Sequence, residues 1–65
     1  MLNNLTVTVQ NIDGSVNKFH DFDRVFVDYE SNIVGEMQRG AYPSLTILEL
    51  DGQWATFTVR RSDLD

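Results

Sequence analysis

The residue types closest to catalytic or metal-binding chemistry lie together in the segment His20-Asp21-Phe22-Asp23. His20 is the only histidine, and imidazole is the side chain whose ordinary pKa lies nearest to neutrality. With Asp21 and Asp23 it offers ligands for a divalent cation. A calcium loop, however, needs further oxygen ligands, a glycine and a glutamate at fixed spacings, and these do not follow. We therefore interpret the segment as a solvated bend in which an aspartate accepts backbone amides, and we expect no metal.

Catalytic and cofactor-binding motifs are absent from the rest of the sequence. There is no cysteine to act as a nucleophile, and the serines lie in turn-like or terminal contexts without a motif that supplies a base. Gly14 and Gly52 each follow an aspartate, as turn glycines do, and no glycine-rich phosphate loop is present. We expect neither an enzyme nor a cofactor.

Length and composition indicate a single small domain, residues 1–65, that needs additional support. A domain of this size buries only about 60% of the surface that its unfolded chain exposes. Disulfides are excluded by the lack of cysteine, which leaves a partner or a second copy of the chain. The start of the sequence predicts no signal peptide, and no apolar run is long enough to span a bilayer, so we expect a cytoplasmic protein without membrane contact.

The formal net charge of −5 disfavours general binding to nucleic acid, because acidic proteins repel the phosphate backbone. It is also an ordinary charge for keeping a small domain soluble. A different interpretation is an acidic inhibitor or nucleic-acid mimic that occupies a basic surface of a partner protein. Its predicted acidic patch contains five residues from the middle of the chain: Asp21, Asp23, Asp28, Glu30 and Glu36.

Alternating apolar and polar residues predict β-strands in the first half of the chain. Residues 5–10 have a period of two, with Leu5, Val7 and Val9 on the buried face. Asp13-Gly14 then predicts a hairpin turn into a strand near 16–19. A three-residue loop, 13–15, would pair Val9 with Phe19, and a two-residue loop would pair Val9 with Lys18. We favour the first, because it matches apolar residues.

The middle of the chain predicts another pair of strands. We expect Phe22 to turn inward, residues 24–30 to form a strand, and residues 33–37 to return antiparallel to it. Gly35 predicts a bulge or a close approach of another group to the backbone. Residues 38–43 lack a pattern, and we interpret them as a loop that Pro43 ends.

Residues 45–59 predict a last hairpin around Asp51-Gly52. A two-residue turn would give it one ordinary core face. The other face would carry Leu45, Ile47 and Trp54 among polar side chains, which is too apolar for water and too polar for a second core.

Three arrangements would cover this second face. The sheet curls into a small barrel, two copies form a homodimer, or another protein binds there with Trp54 and Tyr42 as aromatic anchors and Arg60 nearby. The predicted interaction face thus comprises Leu45, Ile47, Trp54, Arg60 and Tyr42.

The sequence as a whole predicts an all-β domain of about five or six short, mostly antiparallel strands, forming a strongly curved sheet or small barrel. We expect a small non-enzymatic interaction or accessory module that acts as a homodimer or on a protein partner. The acidic inhibitor is the alternative. A nucleic-acid-binding β-barrel is a third, and it requires Arg24, Arg39, Arg60 and Arg61 to gather on one side.

Overall fold

A computed structural model describes residues 4–64 and shows six strands followed by one 3-10 turn. Met1 to Asn3, on which the signal-peptide expectation partly rests, lie outside these residues, as does the side chain of Arg39. All strand pairs are antiparallel, so the predicted all-β class is confirmed. The elements are β1 (Leu5–Asn11), β2 (Val16–Phe22), β3 (Arg24–Val27), β4 (Ile33–Arg39), β5 (Tyr42–Glu49), β6 (Trp54–Arg61) and the 3-10 turn Ser62–Leu64.

The strands form two three-stranded sheets. Sheet 1 has the order β2-β1-β6, and sheet 2 has the order β3-β4-β5. Over residues 4–64 they do not close into a barrel, and the prediction of a small barrel is therefore not confirmed. Within the same residues, no helix is long and apolar enough to cross a membrane.

The first hairpin has neither of the two predicted registers. Val7 pairs with Phe19 and Val9 with Asn17, which leaves residues 12–14 as the loop. Gly14 has a φ of 92°, and its amide donates to the Asn11 carbonyl at 3.0 Å. A three-residue hairpin loop places its left-handed residue last, so the position of Gly14 fixes the register.

The stretch predicted as a loop, residues 38–43, forms a tight hairpin instead. Arg39 pairs with Tyr42 across a two-residue turn, and Gly40 has a φ of 64° at the first turn position. Glycine at that position is typical of a type II′ turn. Pro43 misled the prediction, because β5 lies at the edge of its sheet, where proline is tolerated.

The predicted hairpin over residues 45–59 is wrong. The turn itself exists: Gly52 has a φ of 78°, and the Gln53 amide donates to the Leu50 carbonyl at 3.2 Å. It nevertheless joins two different sheets, because β5 pairs with β4 and β6 pairs with β1. Pairing with β1 sets Val59 and Phe57 beside fully buried valines, an apolar match that β5 does not offer.

The core lies between the sheets and is small. Val7, Val9 and Ile33 are fully buried, and partly buried side chains from both sheets pack around them. Phe22 turns inward as predicted and lies over Gly35, where an added Cβ would meet its ring at 2.5 Å. The prediction of a close approach at Gly35 is confirmed. The molecule measures 37 × 27 × 12 Å, and such a thin shape leaves much of the strand surface uncovered.

Candidate interaction surface

Sheet 2 has one face that turns away from the core. Its inner face carries Val25, which packs against the core, and Gly35 beneath the Phe22 ring. Side chains alternate along a strand, and directly opposed residues in antiparallel strands point to the same side. The neighbours in sequence, Phe26 and Val34, therefore belong to the opposite face, which we call the outer face of sheet 2.

An apolar row crosses this outer face from edge to edge. Phe26 pairs with Val34, and Val34 pairs in turn with Ile47. Leu45 lies two residues before Ile47 on the same side of β5 and opposite Glu36. Val34, in the middle strand, is only 5% exposed, whereas Ile47 and Leu45 at the edge are 54% and 59% exposed. The row is thus covered at its centre and open toward β5.

Arg24 limits the apolar row on the β3 side. Its guanidinium lies 4.8 Å from the centre of the Phe26 ring and 3.7 Å from the Glu36 carboxylate. Both partners lie on the outer face, so the cation engages a ring face and an anion at once. The apolar surface is thereby bordered by charge at one end, and its uncharged side is β5.

The strand β5 is uncovered on three sides. Six consecutive residues, 42–47, are exposed, although alternate residues point to opposite faces. Sheet 1 therefore does not cover either face of this segment. Its outer edge has no strand partner in the described chain either, because β5 pairs only with β4. The segment Tyr42–Leu48 contains no charged residue.

The structure divides the five residues of the predicted interaction face between two sheets. Leu45 and Ile47 lie together on the outer face of sheet 2, whereas Tyr42, 81% exposed, lies on β5 but on the opposite face. Trp54 and Arg60 belong to β6 in sheet 1. The five do not form one surface, since the hairpin that would have joined them does not form.

Trp54 connects the two sheets instead of presenting a free ring. Its indole Nε1 donates a hydrogen bond to the Ser31 carbonyl, at 3.0 Å, in the turn between β3 and β4. The ring meets Phe57 edge to face, with centroids 5.5 Å apart, and packs against the core. Trp54 is half-buried. The role of Trp54 in this structure is therefore packing. Arg60, the other β6 residue of the predicted face, donates a hydrogen bond from its guanidinium to the Leu64 carbonyl.

The carboxylates of the predicted acidic patch do not form one group: Asp21 lies on β2 in sheet 1, and the other four lie on sheet 2 or in its turns. Asp23 precedes β3 and Asp28 follows it, so about 17 Å of extended chain separates them. Asp23 Oδ2 accepts the Gln38 amide at 2.7 Å, so the prediction of an aspartate that binds a backbone amide is confirmed. The predicted bend over residues 20–23 is wrong, because β2 continues through Phe22 and only Asp23 lies between the strands. Glu36 pairs with Arg24, so the carboxylates of both Asp23 and Glu36 already have partners.

At the other end, Asp28 organises the turn that ends β3. One oxygen, Oδ1, accepts the amides of Glu30 and Asn32, both at 2.9 Å. The hydrogen bond from the Asn32 amide is the main cause that holds the pKa of the Asp28 carboxyl below its ordinary value. The predicted strand 24–30 is therefore too long: the chain turns after Val27, and Tyr29 is exposed.

The imidazole of His20 takes part in a hydroxyl network. The Thr6 hydroxyl lies 3.0 Å from His20 Nδ1 and 2.8 Å from the Ser62 hydroxyl, and Thr6 is almost fully buried. These contacts join β1, β2 and the 3-10 turn. Over the part of the chain that the structure describes, no group of three histidines, cysteines or carboxylates is arranged to hold a metal ion.

A shallow cleft of about 500 Å³ opens between the β1–β2 loop and the β5–β6 turn. Its polar walls bond to each other across the sheets, since Asn17 Nδ2 donates to Glu49 Oε1 at 2.6 Å. The cleft thus marks a contact between β2 and β5. The residues lining it are Asn11, Ile12, Asp13, Asn17, Glu49, Gly52 and Gln53.

Comparison with known proteins identifies no relative of this chain. No family model matches the chain, and searches of curated proteins and of solved structures give no match.

Sequence reasoning missed two residues of this surface, Phe26 and Val34. A signal was present, because Phe26 is the one apolar side chain on the otherwise charged side of the segment 24–30. Its partner across the sheet could be found only with the register of β3 on β4 and of β4 on β5.

Proposed function

We propose that this protein is a small non-enzymatic interaction module whose binding surface is β5 together with the outer face of sheet 2. The observation that supports the proposal is the three-sided exposure of an uncharged edge strand. An exposed, uncharged edge strand is a template for pairing with another chain. Pro43 has no amide to donate, so the stretch of β5 that can pair begins at Ser44.

The apolar side chains at this edge supply the energy for association. Complete burial of a leucine or isoleucine stabilises a protein by about 1.5–3 kcal/mol. Leu45 and Ile47 retain slightly more than half of their exposure, so covering both contributes roughly 2 kcal/mol. Backbone hydrogen bonds along the edge add to this and fix the orientation of the partner.

The geometry favours this function over the acidic inhibitor. A mimic needs carboxylates that are grouped and available, whereas Asp23 and Asp28 accept backbone amides and Glu36 faces Arg24. The nucleic-acid-binding alternative is also less favoured, since Arg24 lies on sheet 2 and Arg60 on sheet 1.

A matched pair of lysine substitutions tests the proposal. Ile47→Lys places a charge in the apolar row, and Thr58→Lys places the same charge at an exposed position of β6. Both variants have the same net charge, so any difference in their association results from the position of the lysine.

The readouts are molar mass by light scattering and capture of other proteins on an affinity matrix that carries each variant. We expect Ile47→Lys to lose self-association or the capture of a defined protein, and Thr58→Lys to behave as wild type. If Ile47→Lys keeps the mass and the captured proteins of wild type, the proposal is wrong.

A further inference from the structure

The open edge of β5 has the properties of a strand that pairs with itself. Resting on the function proposed above, we infer that its partner is a second copy of this chain, and that two β5 strands pair antiparallel about a two-fold axis. The two sheets 2 then form one six-stranded sheet. Symmetric self-pairing of one patch is the commonest route to a soluble dimer.

Charge distinguishes β5 from the other three sheet edges of residues 4–64. The chain carries a net charge of −5, so two copies repel at long range, and an uncharged edge minimises this repulsion at the contact. The edge strands β2 and β6 carry Lys18 and Arg60, and β3 has only four residues and includes Arg24. From Tyr42 to Leu48, β5 has no charge, so self-pairing opposes no like charges there.

Continuity of the apolar row sets the orientation of the two copies. If the two-fold axis is perpendicular to the sheet, the outer faces of both copies lie on the same side. Paired residues of the two β5 strands must then point to the same face, so the sum of their residue numbers is even. With Thr46 opposite Thr46 of the second copy, each Leu45 lies opposite the other copy's Ile47. Registers centred on Leu45 or Ile47 instead oppose an apolar side chain to Pro43 or Glu49.

In this register, the apolar row of each copy continues across the second copy's β5 and ends at charged side chains of that copy. A row runs from Phe26 through Val34 and Ile47 to Leu45 of the second copy, and then to that copy's Glu36 and Arg24. The exposed leucine and isoleucine of each copy thus receive apolar neighbours, and the ion pairs stay at the rim. On the inner face, the two Thr46 hydroxyls meet at the axis, a favourable cross-strand pair.

The size of the core is consistent with stabilisation by a second copy. Only Val7, Val9 and Ile33 are fully buried among the apolar residues that the structure describes. A domain of this length is only marginally stable by itself and often gains stability from oligomerisation, a metal or disulfides, and the sequence has no cysteine. Self-pairing supplies this support without another gene product.

Single-cysteine variants test the arrangement, because the native chain has no cysteine. A residue on a two-fold axis lies beside its own copy, within the Cα separation that a disulfide spans. We expect Thr46→Cys to form a disulfide-linked dimer under mild oxidation, in several-fold higher yield than Thr56→Cys. The control position is also an exposed threonine, and it lies on the edge strand β6.

Wild-type protein supplies a second measurement that does not depend on the variants. Amide hydrogen exchange within residues 44–47 should slow as the protein concentration rises, while exchange in the β1–β2 loop stays constant. Equal cross-linking of the two cysteine variants, or β5 exchange that is independent of concentration, overturns the inference. If self-association is absent but Ile47→Lys still loses a captured protein, the proposed function stands and only the second-copy partner is wrong.

Discussion

The close approach of Phe22 to Gly35 predicts that a single methyl group destabilises the fold. In Gly35→Ala, the new Cβ would lie 2.5 Å from Cδ1 and 2.6 Å from Cε1 of the Phe22 ring. Real Cβ atoms do not tolerate such distances, so the ring must move. Because Phe22 is only 6% exposed, the shift disturbs packed neighbours.

Two opposing terms set the magnitude. Overpacking a well-packed core costs about 1–3 kcal/mol, and replacing glycine by alanine within a strand returns roughly 0.5–1 kcal/mol of chain entropy. The difference between the two terms spans about 0–2.5 kcal/mol. Because the contacts of 2.5 and 2.6 Å are severe, we expect a loss of unfolding free energy in the upper part of this range, about 1–2 kcal/mol. With a denaturant slope near 1 kcal/mol per molar urea, the midpoint should fall by about 1–2 M.

The assay is urea unfolding followed by circular dichroism, at one fixed protein concentration because association alters apparent stability. Phe22→Leu removes the ring and provides the control. In the double variant Gly35→Ala/Phe22→Leu, the alanine should cost at least about 0.5 kcal/mol less than it does alone. A Gly35→Ala protein as stable as wild type, or a cost that Phe22→Leu leaves unchanged, would refute the packing described for this contact.

Two further predictions concern the turn after β3. The pKa of the Asp28 carboxyl is lowered in the folded state, so its charge stabilises the fold fully above its ordinary pKa, and this stabilisation is lost as the pH falls through the lowered value. Asp28→Asn lacks this carboxyl, so its unfolding free energy should fall less steeply than that of wild type as the solution is acidified. Urea midpoints across the acidic range measure the difference. Trp54→Phe removes the indole donor to the Ser31 carbonyl and should lower the unfolding free energy by about 1 kcal/mol, with no change in molar mass by light scattering. The first prediction is contradicted if Asp28→Asn loses stability more steeply in acid than wild type does. The second is contradicted if Trp54→Phe keeps the unfolding free energy of wild type but has a lower molar mass.

Local patterns predicted the elements better than their partners. The alternation in residues 5–10 and the glycines at Asp13-Gly14 and Asp51-Gly52 identified strands and turns that the structure contains. These signals depend on neighbouring residues alone. The hairpin over residues 45–59 was wrong because β6 finds a better apolar partner in β1, more than forty residues away in sequence.

The same reasoning explains what was and was not predicted of the candidate surface. Leu45 and Ile47 were identified from their spacing on one strand, which is a local property. The assignment of Trp54 to their surface required the hairpin and failed with it, since the ring packs between the sheets. Phe26 and Val34 joined the surface only through the order β3-β4-β5, which no local pattern specifies.

Sedimentation equilibrium of the wild-type protein shows whether a second copy covers the uncharged edge of β5. Measurements over a wide concentration range, in low and in high salt, report the molar mass and its dependence on charge. Apolar contacts and backbone pairing resist salt, and screening weakens repulsion between copies with a net charge of −5. We predict a dimer that persists or strengthens in high salt, whereas a monomer at every concentration would contradict self-pairing through β5.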